Sequence, residues 1–175
     1  MRKSKLTVII AALLSLILLT VGCAAPQAST PAVSASTGDF TVTLSVSAET
    51  LLDSLHMLDA EMHELVPEDG ILFPATQVPA YEGESVFDLL QREMRQAGIH
   101  MAARSVPIYN SSYVEAIGNI YEFDAGGLSG WMFRVNGIFP GVGSSQHMLS
   151  PGDVVEWLYT IDLGRDIGAT DAWGG

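Results

Sequence analysis

Few residues of this 175-residue chain have the types and spacing that chemistry requires. His56, Asp59 and His63 stand at i, i+3 and i+7, which on a helix would put two imidazoles and a carboxylate on one face, the donor types of a zinc site. The sequence supplies neither a fourth ligand nor groups to orient such donors, so an exposed polar stripe is the simpler reading. Ser144, Ser145 and His147 bring hydroxyls near a base, without the acidic partner or oxyanion loop that nucleophilic catalysis demands. Asp162 and Asp166, in DLGRDIG, offer two carboxylates but lack the oxygen-rich spacing of a calcium loop. What remains is GWMFRVNGIFPG, residues 130–141, in which Trp131, Met132, Phe133, Arg134, Asn136, Phe139 and Pro140 combine aromatic surface with amide and guanidinium groups. Rings of this kind cover an apolar ligand while a few polar groups orient it. A binding protein, not an enzyme, is expected.

The elements that must position this stretch follow from hydrophobic periodicity. Trp131, Phe133 and Val135 alternate with Met132 and Arg134, so a strand sends the first three to one face. A period-two aromatic stripe is ordinarily core, which leaves Met132 and Arg134 as the better solvent-side ligand candidates. Asn136-Gly137 predicts a hairpin turn, because both turn positions favour positive φ, with Ile138 and Phe139 beginning the return. After a turn at Ser150–Asp153, Val155, Trp157 and Tyr159 share one face of a further strand. Upstream, Phe40, Val42, Leu44 and Val46 alternate with Thr and Ser as a half-buried first strand. Leucines and methionines between Glu49 and Val66 recur at three- and four-residue steps and predict a short helix or helical turns. ILFP and TQVPAYEG read as short extended pieces.

The best helix signal starts at Ser85. Its capping box with Asp88, an apolar face of Val86, Phe87, Leu89, Leu90, Met94 and Ala97, and Gly98 as the stop all agree. Tyr113 to Phe123 predicts strand, turn and strand about Gly118-Asn119. This order predicts an α+β fold, a small β-grasp-like mixed sheet crossed by one main helix.

The front of the chain decides its destination. Arg2, Lys3 and Lys5 precede an unbroken apolar run from Leu6 to Val21, the layout of a secretory signal peptide over residues 1–22. Cys23, the only cysteine, follows in a context similar to the bacterial lipobox, with Thr20 where Leu is usual. Lipidation there would anchor the protein to the outer face of the cell membrane. Residues 23–38 are small and polar with two prolines, a flexible tether. A domain over 39–168 and a tail of 169–175 complete the organisation. Removal of residues 1–22 leaves five arginines, no lysine and twenty acids, a formal charge of about −15. Such a surface repels phosphate backbones and excludes nucleic acid as a partner.

The stretch from YNSSYVEAIGNIYEF through GWMFRVNGIFPG to VVEWLYTIDLG resembles the bacterial transcobalamin-like C-terminal domain family, related to the β domain that closes transcobalamin and intrinsic factor over cobalamin. The resemblance extends back to Phe40. It implies that two segments face a ligand: Tyr109, Asn110, Ser111, Ser112 and Tyr113, and the hairpin from Trp131 to Pro140. It implies further a lipoprotein that binds a soluble ligand, cobalamin or another corrinoid, for uptake, with no required cofactor and with a membrane transporter or second lipoprotein as partner. The large helical domain that grips the other side of the vitamin has no counterpart here. Ala48, Ala125, Ser144 and Ile161 stand where many relatives carry cysteines, which implies that any disulfides of the family are dispensable to the fold or that packing compensates for them. The alternative reading is a non-catalytic cell-surface interaction module, in which the same hairpin contacts another protein.

Overall fold

The alternation from Phe40 places Val42, Leu44 and Val46 on one buried face, and in the computed structural model, which describes residues 38–169, this stretch is strand β1 (Phe40–Ser47). Strand β2 (Ile71–Ala80) flanks it antiparallel. Strand β7 (Val154–Thr160) flanks it parallel and pairs antiparallel with β6 (Gly130–Val135), giving the order β2-β1-β7-β6. A parallel pair needs a crossover connection. Here the crossover contains helix α1 (Val86–Ala97) and a second sheet of β3 (Met101–Val106), β4 (Ser111–Ile117) and β5 (Ile120–Tyr121). The predicted α+β class with one main helix and a mixed β-grasp-like sheet is what forms. The strands divide into two sheets where a single one was expected. The division follows Phe123 and Gly126, whose positive φ values of 71° and 100° turn the chain between β5 and β6.

The core is built by the predicted faces. Val155, Trp157 and Tyr159 are at most 3% exposed. Across the ladder Trp131 opposes Tyr159 and Phe133 opposes Trp157, with ring centroids 5.1 and 5.3 Å apart. Such cross-strand aromatic pairs add about 0.5–1.5 kcal/mol each beyond their burial. Two hydrogen bonds tie the sheets together: the Tyr159 hydroxyl donates to the Tyr121 carbonyl (2.7 Å) and Trp131 Nε1 donates to the Ile120 carbonyl (2.8 Å).

Helix α1 begins as predicted, with Ser85 Oγ accepting from the Asp88 amide (3.2 Å) and the Asp88 carboxylate accepting from the Ser85 amide (3.3 Å). Gly98, at φ 70°, closes it in the left-handed conformation. Ala97 is exposed, and its place on the buried face is taken by Glu93. Arg92 bridges Glu84 and Glu93, donates to the Pro79 carbonyl, and lies over the Tyr81 ring. Burial holds the Glu93 carboxyl above the usual carboxylate range, against the opposing pull of Arg92. A carboxyl raised in the folded state binds its proton more tightly there than in the unfolded chain, so its contribution to stability falls as pH rises through that window. Glu93→Gln keeps an acceptor for Arg92 and removes the buried charge. Its stability relative to the parent is therefore expected to improve steadily from about pH 4.3, the unperturbed glutamate value, until Glu93 is fully ionised. Thermal melts of both proteins across pH 4–8 measure that difference, and a constant difference would refute it.

Two expectations are corrected and one is narrowed. Of the two forms expected for Glu49–Val66, helical turns are what appears, as three separate 3-10 segments, Glu49–Leu51, Leu55–Met57 and Ala60–Leu65. The breaks fall at Ser54 and Asp59, whose short polar side chains favour non-helical backbone at helix starts. ILFP and TQVPA join into one ten-residue strand, β2. Pro74 and Pro79 are tolerated because β2 is an edge. The turn at Asn136-Gly137 forms, with φ of 53° and 79°, yet its return consists of a single bridge between Val135 and Ile138. Strand β6 pairs with β7 instead, which offers six registered partners.

The expected signal peptide, Cys23, the expected tether to residue 37 and the tail beyond 169 lie outside the described residues. Among the described residues no helix is long and apolar enough to cross a membrane.

Candidate functional site

A cavity of about 440 Å³ opens between β4, β6 and the loop that follows the Asn136-Gly137 turn. Ser111, Ser112 and Tyr113 of β4, Trp131, Met132 and Phe133 of β6, and Phe139 and Pro140 of the loop all line it. The structure thus brings together the two segments nominated from sequence, which lie about twenty residues apart in the chain. Its volume falls within the range of about 300–1,000 Å³ typical of small-molecule sites. No lining residue carries a formal charge.

The remaining nominated residues are placed elsewhere. Asn110 is exposed at φ 46° and turns the chain into β4. Tyr109 ends a 3-10 turn, Pro107–Tyr109, and its side chain is outside the described set. Arg134, expected among the better ligand contacts, is not part of the lining. It lies on the outer face of β6, in a bidentate ion pair with its cross-strand neighbour Glu156 (2.6 and 2.7 Å) that raises its pKa. Of the two outer-face candidates Met132 lines the cavity, together with Trp131 and Phe133, and Arg134 does not. Asn136 is spent on the turn, its amide donating to Asp153 (2.8 Å) and accepting from the Val154 N–H (2.9 Å). Arg134→Ala is accordingly expected to cost under about 1 kcal/mol, as part-exposed ion pairs do, and to leave ligand affinity within twofold; chemical denaturation and titration of the variant check both.

Sequence reasoning missed the loop's own role. Gly141, Val142, Gly143, Ser144 and Gln146 complete one wall, with Val106, Val114 and Trp157 behind them. The signal available was the glycine-rich PGVGSS that follows the aromatic stretch. Loop residue Ser145 anchors this wall to β4: its hydroxyl accepts from the Ser112 amide (2.9 Å) and shares a hydrogen bond with Ser111 Oγ (3.3 Å). Gly143 sits against Ser111 so closely that a β-carbon there would overlap the hydroxyl and lie 2.8 Å from Ser111 Cβ. On its other side the loop is fixed to α1, whose Val86 and Phe87 amides donate to the His147 and Ser144 carbonyls (2.9 and 3.1 Å). A helix start leaves such amides without internal partners, and the loop supplies them.

Two polar groups in the wall stand out. The Tyr113 hydroxyl donates to Glu122 (2.6 Å) and its ring lies under Arg104, 4.8 Å from the guanidinium carbon. Burial first, then that hydrogen bond and the Glu122 charge, push its pKa well above the ordinary tyrosine value, so it stays a neutral phenol. Trp157 Nε1, in contrast, is a buried donor with no partner. Most buried N–H groups are satisfied, so this one is a local cost to stability.

The other candidate chemistries do not assemble. Ser145 is committed to β4, while His147 packs edge-on against Phe133 with centroids 6.1 Å apart. His56 and His63 lie on different 3-10 segments, with Asp59 exposed in the break between them. Asp162 pairs with Arg165, and Asp166 accepts from Thr160 and the Ile161 amide. Among the described residues no three His, Cys, Asp or Glu side chains gather as a metal would require.

Residues 83–160 match a family described as Domain of unknown function (DUF4430), a span that contains the whole cavity lining. No curated protein matches the sequence. Among solved structures the chain is similar to haptocorrin in complex with Cbi, at 14% identity and a TM-score of 0.46, over 71% of this chain and 25% of that one. It is also similar to a "putative metal binding protein" from Ruminococcus gnavus ATCC 29149, at 11% identity and a TM-score of 0.44, over 70% and 97% of the two chains. The chain spans a quarter of the haptocorrin length.

Proposed function

We propose that this protein is a non-catalytic ligand-binding lipoprotein, anchored outside the cell membrane through Cys23, whose cavity between β4 and β6 takes a flat, uncharged, amide-bearing molecule of the corrinoid kind. The observation that carries this reading is the cavity itself: two separate segments and an anchored loop converge on 440 Å³ of uncharged, aromatic-rich space. Trp131, Phe133 and Phe139 supply apolar surface. Ser111 and Ser112 supply hydrogen bonds without charge. The resemblance of the sequence to transcobalamin-like domains selects corrinoids among molecules of this description. A cavity of this size covers one side of such a ligand, so capture is expected to be modest, and a membrane transporter or second lipoprotein would complete it.

Calorimetry and corrin absorbance on the purified protein mixed with cobalamin and with cobinamide test the proposal. Dissociation constants tighter than millimolar, about −4 kcal/mol or better, are expected. Weaker binding of both compounds would exclude the corrinoid assignment and favour the reading as an interaction module.

A further inference from the structure

Successive side chains of a β-strand point to opposite faces, so a cavity facing a sheet touches every second residue. This cavity touches Trp131, Met132 and Phe133 in succession, and Ser111 to Val114 in succession. The Met132 side chain lies on the other face of β6, where a β-carbon on Gly164 would stand 2.7 Å from its sulfur. Contact with consecutive residues on both sides means that the cavity meets the strands at their edges.

The hydrogen-bond phase of β6 agrees. The Asn136 amide donates to Val154 of β7 (2.8 Å), while Val135 exchanges both of its bonds with Ile138 on the opposite side (2.9 and 3.0 Å). Antiparallel ladders alternate in direction from one residue to the next. The N–H and C=O groups of Phe133 and Trp131 therefore point away from β7, as those of Val135 do. β6 is the last strand of its sheet, so no further strand receives them.

We infer that this outer edge of β6 is a strand-docking edge, which takes an extended peptide along Trp131–Phe133 and seats one of its uncharged apolar side chains in the cavity. The inference rests on the reading of the cavity as a binding site and adds a ligand class to it. Three observations select a peptide. The outward groups of Trp131 and Phe133 recur at two residues, about 7 Å, the repeat of an extended backbone. The lining carries no charge to pair with an acidic or basic side chain. The chain's surplus of twenty acids over five arginines beyond residue 22 favours a peptide with basic flanks. Edge addition of this kind draws affinity from main-chain bonds and specificity from pockets for alternate side chains.

The test uses the purified protein and a terminally blocked peptide of alternating valine and threonine, with one central phenylalanine and a lysine at each end. Two N-methylated versions carry their methyl groups on alternate amides, one set displaced by one residue from the other. The parent peptide is expected to bind and to compete with cobinamide. One methylated set is expected to lose at least tenfold in affinity and the other to stay within about threefold, because only one set of amides can face β6. Absence of parent binding at millimolar peptide, or equal losses in both sets, would overturn the inference. Cobinamide binding without peptide binding would sink the strand-docking edge and leave the cavity reading intact. Peptide binding with the alternating pattern but no cobinamide binding would uphold the docking edge and exclude the corrinoid assignment alone.

Discussion

Trp157→Ala is expected to destabilise the protein by about 3–5 kcal/mol, the cost of emptying a large buried site, whereas Trp157→Phe should stay within about 1 kcal/mol of the parent. The indole is 3% exposed and packs against Phe133 across the β6–β7 ladder. Truncation to alanine removes that partner and opens a void in the centre of the four-stranded sheet. Phenylalanine also leaves some empty volume, but it eliminates a buried N–H that has no acceptor, and the two effects offset each other. Denaturant titration of both variants reads these quantities. A phenylalanine variant as unstable as the alanine one would mean that shape, and not the orphaned donor, sets the energetics here.

Gly143→Ala is expected to abolish measurable ligand binding while costing no more than about 2 kcal/mol of stability. The new methyl group would collide with Ser111, whose Cβ lies 2.8 Å from its position. Either β4 or the loop must retreat, and in both cases the Ser145 bonds to Ser111 and Ser112 that hold the wall are lost. The loop is on the surface and the core packs elsewhere, so the fold tolerates the shift. Gly141→Ala is the control: a β-carbon there meets nothing, so affinity and stability should both remain near the parent values. Equal losses in the two variants would show that loop flexibility matters more than the contact with Ser111.

Much of this architecture was legible because local signals agreed with each other. The Ser85–Asp88 box, the apolar face and Gly98 fixed α1 to within a residue, since capping chemistry acts over a single turn. The faces of β1 and β7 could be read from strict alternation. The position of the cavity was legible only as two segments, because nothing local states that β4 and β6 face one another across a gap. Arg134 stays out of the lining that its neighbour Met132 joins, for a related reason. Its guanidinium is held across the ladder by Glu156, twenty-two residues away, a partner that the alternation within β6 does not reveal. Glu93 escaped notice because a carboxylate on an apolar face is explained only by Arg92 and Glu84, whose convergence is tertiary. The role of Gly143 likewise depends on contact with Ser111, thirty-two positions earlier.

The Val86 and Phe87 amides, satisfied by the His147 and Ser144 carbonyls respectively, bear on how tightly this site can hold anything. A gate that swung freely would have to be immobilised each time a guest arrived, and that entropy would be deducted from the affinity. Here the wall is already stitched to the helix at one end and to a strand at the other. Arrival and departure are thus expected to proceed through a rigid mouth, with complementarity of shape, not capture by closure, deciding which molecules stay.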